Sequence, residues 1–173
     1  NNVPKFEGGR TLILVDTSGS MQSPVGGQRS VMQRCDVAAL FGTVLAMRNQ
    51  GAVDLAIYAT GVAPWPIKSG ASILRSVKAM HSALGQVGHG TNTWAAIRSQ
   101  YNGHDRVIVL TDEQSHDSGS NPGCCMHFIN LAGYRVATAP KDRRTFAYGG
   151  FTDSMFRLLP TMEYAGSGRW PWE

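Results

Sequence analysis

The sequence predicts an α/β domain built on a doubly wound, mainly parallel sheet with helices on both faces. Three observations predict it. Short apolar runs at 11–15, 53–59 and 106–110 are continuous rather than alternating, as in strands covered on both sides. Between them lie stretches with the 3.6-residue apolar period of helices. Strands that alternate with helices imply right-handed crossovers and a parallel sheet.

Each element follows in chain order. TLILV at 11–15 is the first buried strand. Val37, Leu40, Phe41, Val44 and Leu45 then mark a helix, with alanines and a glycine filling its other faces, so that it sits centrally. The second strand covers 53–59. Ile73, Leu74, Val77, Met80, His81 and Leu84 form the stripe of a second helix. A third, shorter helix covers 94–101, with Thr91 or Asn92 as its N-cap. The strand at 106–110 and a fourth at 134–139 complete the expected sheet. A last helix begins at Thr152 and is expected to stop at Pro160. Connectors at 22–30, 61–70 and 117–123 are rich in glycine and proline but too short to divide the chain. The tail, Gly166 onward, carries Trp170 and Trp172 and is expected to pack back or to lead into a junction.

Composition narrows the class. The chain has 173 residues, 42% of them hydrophobic and 16% charged, which suits one globular domain and excludes a disordered one. A net charge of +4 is mildly basic and mostly scattered; the one dense run is Lys141-Asp142-Arg143-Arg144. Three cysteines, Cys35, Cys124 and Cys125, cannot make a disulfide framework and read as a reduced, cytoplasmic protein. No segment approaches the ~20 apolar residues of a membrane span. The chain opens on Asn1 rather than Met, which reads as a single domain, 1–173, excised from something longer.

The chemistry gathers at strand ends. In an open α/β sheet, ligands bind beyond the carboxyl ends of the strands. The first strand runs into Asp16-Thr17-Ser18-Gly19-Ser20, and the 106–110 strand into Thr111-Asp112-Glu113. Gly88-His89-Gly90-Thr91-Asn92-Thr93 precedes a helix and can reach the same edge. Asp16, Ser18, Ser20, Thr91 and Asp112 are therefore expected to converge. All are oxygen donors, which suit a hard divalent cation, Mg²⁺ or Mn²⁺, rather than a soft one. Two carboxylates balance its charge, hydroxyls and waters fill the remaining positions, and a replaceable water leaves room for a partner's carboxylate or phosphate. Gly19 is expected to let the loop turn so that residues 16, 18 and 20 all face inward.

This pattern resembles the metal-ion-dependent adhesion site of von Willebrand factor A domains. The resemblance spans nearly the whole chain, with three segments in the right order after suitable strands. It implies a Rossmann-like fold that binds a partner through its metal without catalysis. On that likeness Asp16, Ser18 and Ser20 form the first ligand loop, Thr91 the second and Asp112 the third. DVAALFGTVLAM (36–47), VLTDEQ (109–114) and GFTDSMFRLLP (150–160) are further similar to the A domain of bacterial Ro-type, TROVE-domain proteins. There the A domain follows a ring of helical repeats that binds small noncoding RNA, so RNA is implied as a partner of the full-length protein.

Other readings fit less well. Asp, Ser and Ser can simply cap a helix, but that does not account for Thr91 and Asp112. A haloacid-dehalogenase phosphatase needs a second acid where Ser18 stands. A serine hydrolase needs Ser18 in a G-x-S-x-G elbow, and it lies in T-S-G-S. There is no phosphate-binding G-x-x-x-x-G-K-[ST]. Cys124, Cys125, His116 and His127 lack zinc spacing and read as loop residues. His81 reads as a hydrogen-bonded core or boundary residue, His89 as a solvated loop residue in preference to a ligand contact, and Glu113 as a neighbour outside the ligand set. Lys141, Arg143 and Arg144 follow the strand expected at 134–139, which would bring them out at the metal edge to attract an acidic ligand or, alternatively, RNA. A structural brace of the repeat ring is a third role open to the domain.

Overall fold

A computed structural model describes residues 3–26, 30–112, 114–133, 139–152 and 154–168. Its six strands are β1 (Thr11–Asp16), β2 (Val53–Tyr58), β3 (Val62–Pro64), β4 (Arg106–Thr111), β5 (Cys125–Asn130) and β6 (Thr145–Gly149). They form one sheet in the order β3-β2-β1-β4-β5-β6. Only β3 is antiparallel, hairpinned to β2; every other neighbouring pair is parallel. The register sets Thr11 beside Val53 and Arg106, so the carboxyl ends of β1, β2 and β4 share one edge.

The helices are α1 (Arg34–Arg48), α2 (Ile73–Ser82), α3 (Thr93–Gln100) and α4 (Met155–Gly166). Strand alternation divides the core. Ile13, Val15, Ile57, Ile108 and Leu110 face α1 and α4, with Met80 of α2 in the same cluster. Leu12, Leu14, Ala56, Val107, Val109 and Phe128 face Trp94 and Ile97 of α3. β1 and β4 are buried along their whole length, as expected of continuous apolar runs at the centre of a covered sheet.

Three expectations need correction: the strand beside β4, the cap of the third helix and the end of the last helix. Residues 134–138 of the expected fourth strand lie outside the described residues, as do Trp170 and Trp172. The strand beside β4 is instead Cys125–Asn130, whose sequence CMHFIN hides an apolar inner face behind polar letters. The third helix begins at Thr93, but neither Thr91 nor Asn92 caps it with a side chain. Asp117, twenty-odd residues on, does so, accepting the Trp94 and Ala95 N–H groups at 3.1 and 2.7 Å. Pro160 does not stop the last helix, which runs through it to Gly166. Proline removes one backbone bond, but Met155 and Leu159 are buried before it and Glu163 bonds Arg106 and His127 of the sheet after it.

The second helix is also less buried than its apolar stripe suggests. Ile73 and Leu74 are exposed, and of its residues only Met80 is fully buried. α1, in contrast, approaches the sheet so closely that a Cβ on Gly42 would lie 2.9 Å from Val15 Cγ2 and 3.4 Å from Leu55 and Leu110. Replacing Gly42 by valine is expected to cost on the order of 2 kcal/mol through overpacking. Urea denaturation of the variant would show a lowered midpoint with an unchanged slope.

Candidate metal centre

β1 delivers Asp16 to the carboxyl edge fully buried. The chain then enters a 3₁₀ turn, Gly19–Gln22, with Ser18 as its N-cap. The Ser18 N–H donates to Asp16 Oδ1 at 2.9 Å, and the Ser18 and Ser20 hydroxyls lie 3.3 Å apart. Asp16, Ser18 and Ser20 are thus linked to one another where the strand gives way to a 3₁₀ turn. Gly19 adopts no positive φ. Its N–H donates to the His89 carbonyl at 3.0 Å, tying the 88–92 loop to the turn.

The other two segments are tied in the same way. Thr91 is buried, and its carbonyl accepts the His116 N–H at 2.8 Å. From β4, Thr111 Oγ1 donates to Asp16 Oδ2 at 2.7 Å, and Asp112 follows with only 1% of its surface exposed. Backbone and side-chain bonds therefore join the segments that carry Asp16, Ser18 and Ser20, Thr91, and Asp112 at one place. Glu113 lies outside the described residues. His89 is exposed, with only its carbonyl engaged in the site.

The electrostatics are those of crowded, buried negative charge. Burial pushes the Asp16 carboxyl up to about 6, against the bonds from Ser18 and Thr111, and the neighbouring Asp112 adds to the rise. Asp112 Oδ2 accepts from Arg34 Nη1 at 3.0 Å. Its other oxygen, Oδ1, is buried with no hydrogen-bond partner among the described residues. An orphaned buried carboxylate oxygen is costly unless a ligand meets it. Hydroxyls, two carboxylates and that orphaned oxygen are a donor set that fits a hard divalent cation. Sequence reasoning missed Arg34: nothing near it in the chain signals a pairing with Asp112, 78 residues away.

The basic run needs correction. Lys141, Arg143 and Arg144 are exposed and lead into β6, which runs parallel to β5. They therefore stand at the amino edge, the opposite end of the sheet from Asp16 and Asp112. Arg144 is occupied there, its Nη1 donating to the Gly123 carbonyl at 2.8 Å. A wide cleft of about 570 Å³ also opens at that amino edge, lined by Arg10, Asp54 and His104 among others. Its polar groups satisfy one another, with Asp54 accepting from Arg10 and bonded to His104. The orphaned carboxylate oxygen is at the carboxyl edge, which makes that edge the candidate site.

Cys125 and His127 are strand residues rather than loop residues, and with Glu163 of α4 their ligating atoms lie within 4.8 Å of one another. That group is already satisfied. Glu163 pairs with the Arg106 guanidinium and lies 2.9 Å from His127 Nε2, while His127 Nδ1 meets the Tyr148 hydroxyl at 2.8 Å. Burial pushes the Cys125 thiol up to about 12, away from the thiolate a metal requires. His81 is hydrogen-bonded as expected, 2.7 Å from Asp36 and joining α2 to α1, but it is exposed rather than part of the core.

Two outcomes follow. The folded Asp16 carboxyl lies above its ordinary value of 3.8. Its contribution to stability is therefore complete below about pH 4 and lost as pH rises through about 6. Asp16→Asn is expected to raise the metal-free stability at about pH 7.5 by on the order of 2 kcal/mol, read by urea denaturation. Glu163 behaves oppositely. Burial raises its pKa, but the bonds from Arg106 and His127 outweigh that and hold it at about 2, below the ordinary 4.5. Its contribution is present above about pH 4.5 and lost as pH falls toward 2. Glu163→Gln should lower stability at neutral pH and flatten the acid limb of the stability–pH curve.

No protein-family profile matches the chain, and no curated protein matches it. Solved structures do. The RO (RSR) protein of Deinococcus radiodurans superposes with a TM-score of 0.64 at 18% identity, over 92% of this chain and 34% of that one. This chain thus spans about a third of that protein's length. The conserved hypothetical protein BatB of Bacteroides thetaiotaomicron gives 0.58 at 15% identity, over 93% of this chain and 100% of that one. An aerotolerance-related membrane protein of Bacteroides fragilis gives 0.53 at 15% identity, covering 94% and 89%. Among the described residues no helix is long and apolar enough to cross a membrane. Strand order, helix placement and these likenesses agree, and the chain has the von Willebrand factor A fold.

Proposed function

We propose that this domain binds one divalent cation, Mg²⁺ or Mn²⁺, at the carboxyl edge of its sheet and uses it to hold a partner without catalysing a reaction. Asp16 and Asp112 supply the charge, and Ser18, Ser20 and Thr91 contact the ion directly or through water. A coordination position stays open to a carboxylate from the partner protein. The observation that carries this reading is the buried, unpartnered Asp112 Oδ1 beside a second buried carboxylate, Asp16. When bound, the cation neutralises both and acts as the bridge to an acidic group.

We place the domain in a larger, cytoplasmic Ro-type ribonucleoprotein, supported by the likeness to the Deinococcus RO protein over most of this chain. Small noncoding RNA is then a partner of the whole protein. Direct RNA contact through Lys141, Arg143 and Arg144 is less well supported, because these residues stand at the opposite edge and Arg144 is occupied.

Titration calorimetry with Mn²⁺ and Mg²⁺ tests the reading. Saturable one-site binding is expected, and Asp16→Ala should abolish it while the fold, followed by circular dichroism, survives. Equal binding by wild type and variant would remove Asp16 from the site and the reading with it.

A further inference from the structure

Arg34 is the residue that neither the fold nor the metal reading explains. It stands in the first turn of α1, where the helix macrodipole presents its positive end and a cation is disfavoured. Acids usually take that position; here Asp36 does so two residues on, closing a capping box with Gln33. The Arg34 side chain is nonetheless only 12% exposed, and it meets a carboxylate that is fully buried. Its backbone N–H is anchored to the Ser23 carbonyl at 3.0 Å, at the end of the turn that carries Ser18 and Ser20. The guanidinium is thus carried into the metal centre by the ligand loop itself.

Its effect on a cation follows from charge. Asp16 and Asp112 together offer two negative charges, and Arg34 already supplies one positive charge against them. A divalent ion arriving beside the guanidinium meets a like charge in a site sheltered from water, where repulsion is strong. It also finds one Asp112 oxygen taken, with only Oδ1 open. An ammonium ion in place of the guanidinium would keep the charge; an apolar chain of similar length would remove it.

We propose that Arg34 is a built-in competitor for the metal, a counter-cation that holds Asp112 in the metal-free protein and weakens cation binding until it withdraws. This rests on the metal reading above and adds to it a residue that sets the affinity. Removing Arg34 leaves Asp112 buried and uncompensated, so the variant should be less stable without metal and depend on metal for recovery.

The test compares wild type, Arg34→Met and Arg34→Lys, with Asp16→Ala as the control. Calorimetry with Mn²⁺ is expected to show Arg34→Met binding about tenfold tighter than wild type, with Arg34→Lys within about threefold of it. Melting temperatures with and without Mn²⁺ should show the largest metal-induced rise in Arg34→Met, a reversal that loss of packing alone would not produce. Wild type supplies a reading that needs no substitution: the ¹⁵N signals of the Arg34 guanidinium should lose their hydrogen-bonded character on saturation with Mg²⁺. Equal or weaker binding by Arg34→Met, with wild type binding normally, would overturn the competition and leave the metal reading standing. Retention of the guanidinium signals at saturation would overturn it too. Binding by none of the proteins would remove both.

Discussion

A carboxylate stripped of water needs a cation or a set of donors, and this fold strips two at one edge. β1 and β4 are neighbours, are buried from end to end, and finish beside each other with Asp16 and Asp112. Much of the surrounding structure answers that constraint. Ser18 and Thr111 donate to Asp16, and Arg34 is drawn in from a helix terminus to face Asp112. The 3₁₀ turn and the 88–92 loop are held together across the top of the sheet by a backbone bond. The parallel pairing of β1 and β4 keeps the two carboxylates at one edge.

The amino-edge half of the sheet shows what a settled buried charge looks like. Glu163, Arg106, His127 and Tyr148 share a cluster in which each polar group meets another, including a bidentate pairing. That cluster fastens α4 across β4 and β5 and leaves no oxygen waiting. Asp112 Oδ1 is different in kind: it is buried, yet it has no hydrogen-bond partner among the described residues. The contrast separates a structural ion pair from a site built for something else.

What the sequence made legible follows from how local each signal was. β1, β2 and β4 could be read because central parallel strands are plain apolar runs. The ligand loops could be read because their residues sit where those runs end. β5 could not, because Cys125, His127 and Asn130 look like loop chemistry until Glu163 and Tyr148 arrive from later in the chain to satisfy His127. β3 is three residues long and ends in proline, and β6 is a partly exposed edge strand, so neither stands out by pattern. Misplacing the strand after β4 carried the basic run to the wrong end of the molecule. The Asp117 cap and the Arg34 pairing are contacts between distant segments, which no window of sequence displays.

The Asp117 cap has a mechanical meaning of its own. The stretch 114–117 bonds to the Thr91 carbonyl through the His116 N–H and, through Asp117, to the N–H groups of Trp94 and Ala95 that begin α3. It is a short tether with one end at the charged edge and the other on the helix that covers the far face of the sheet. Close by, Trp94 lies beneath Gly119, whose missing side chain leaves the indole room to lie against the backbone. The charged edge and the start of α3 are thus joined by hydrogen bonds between distant segments as well as by the apolar core.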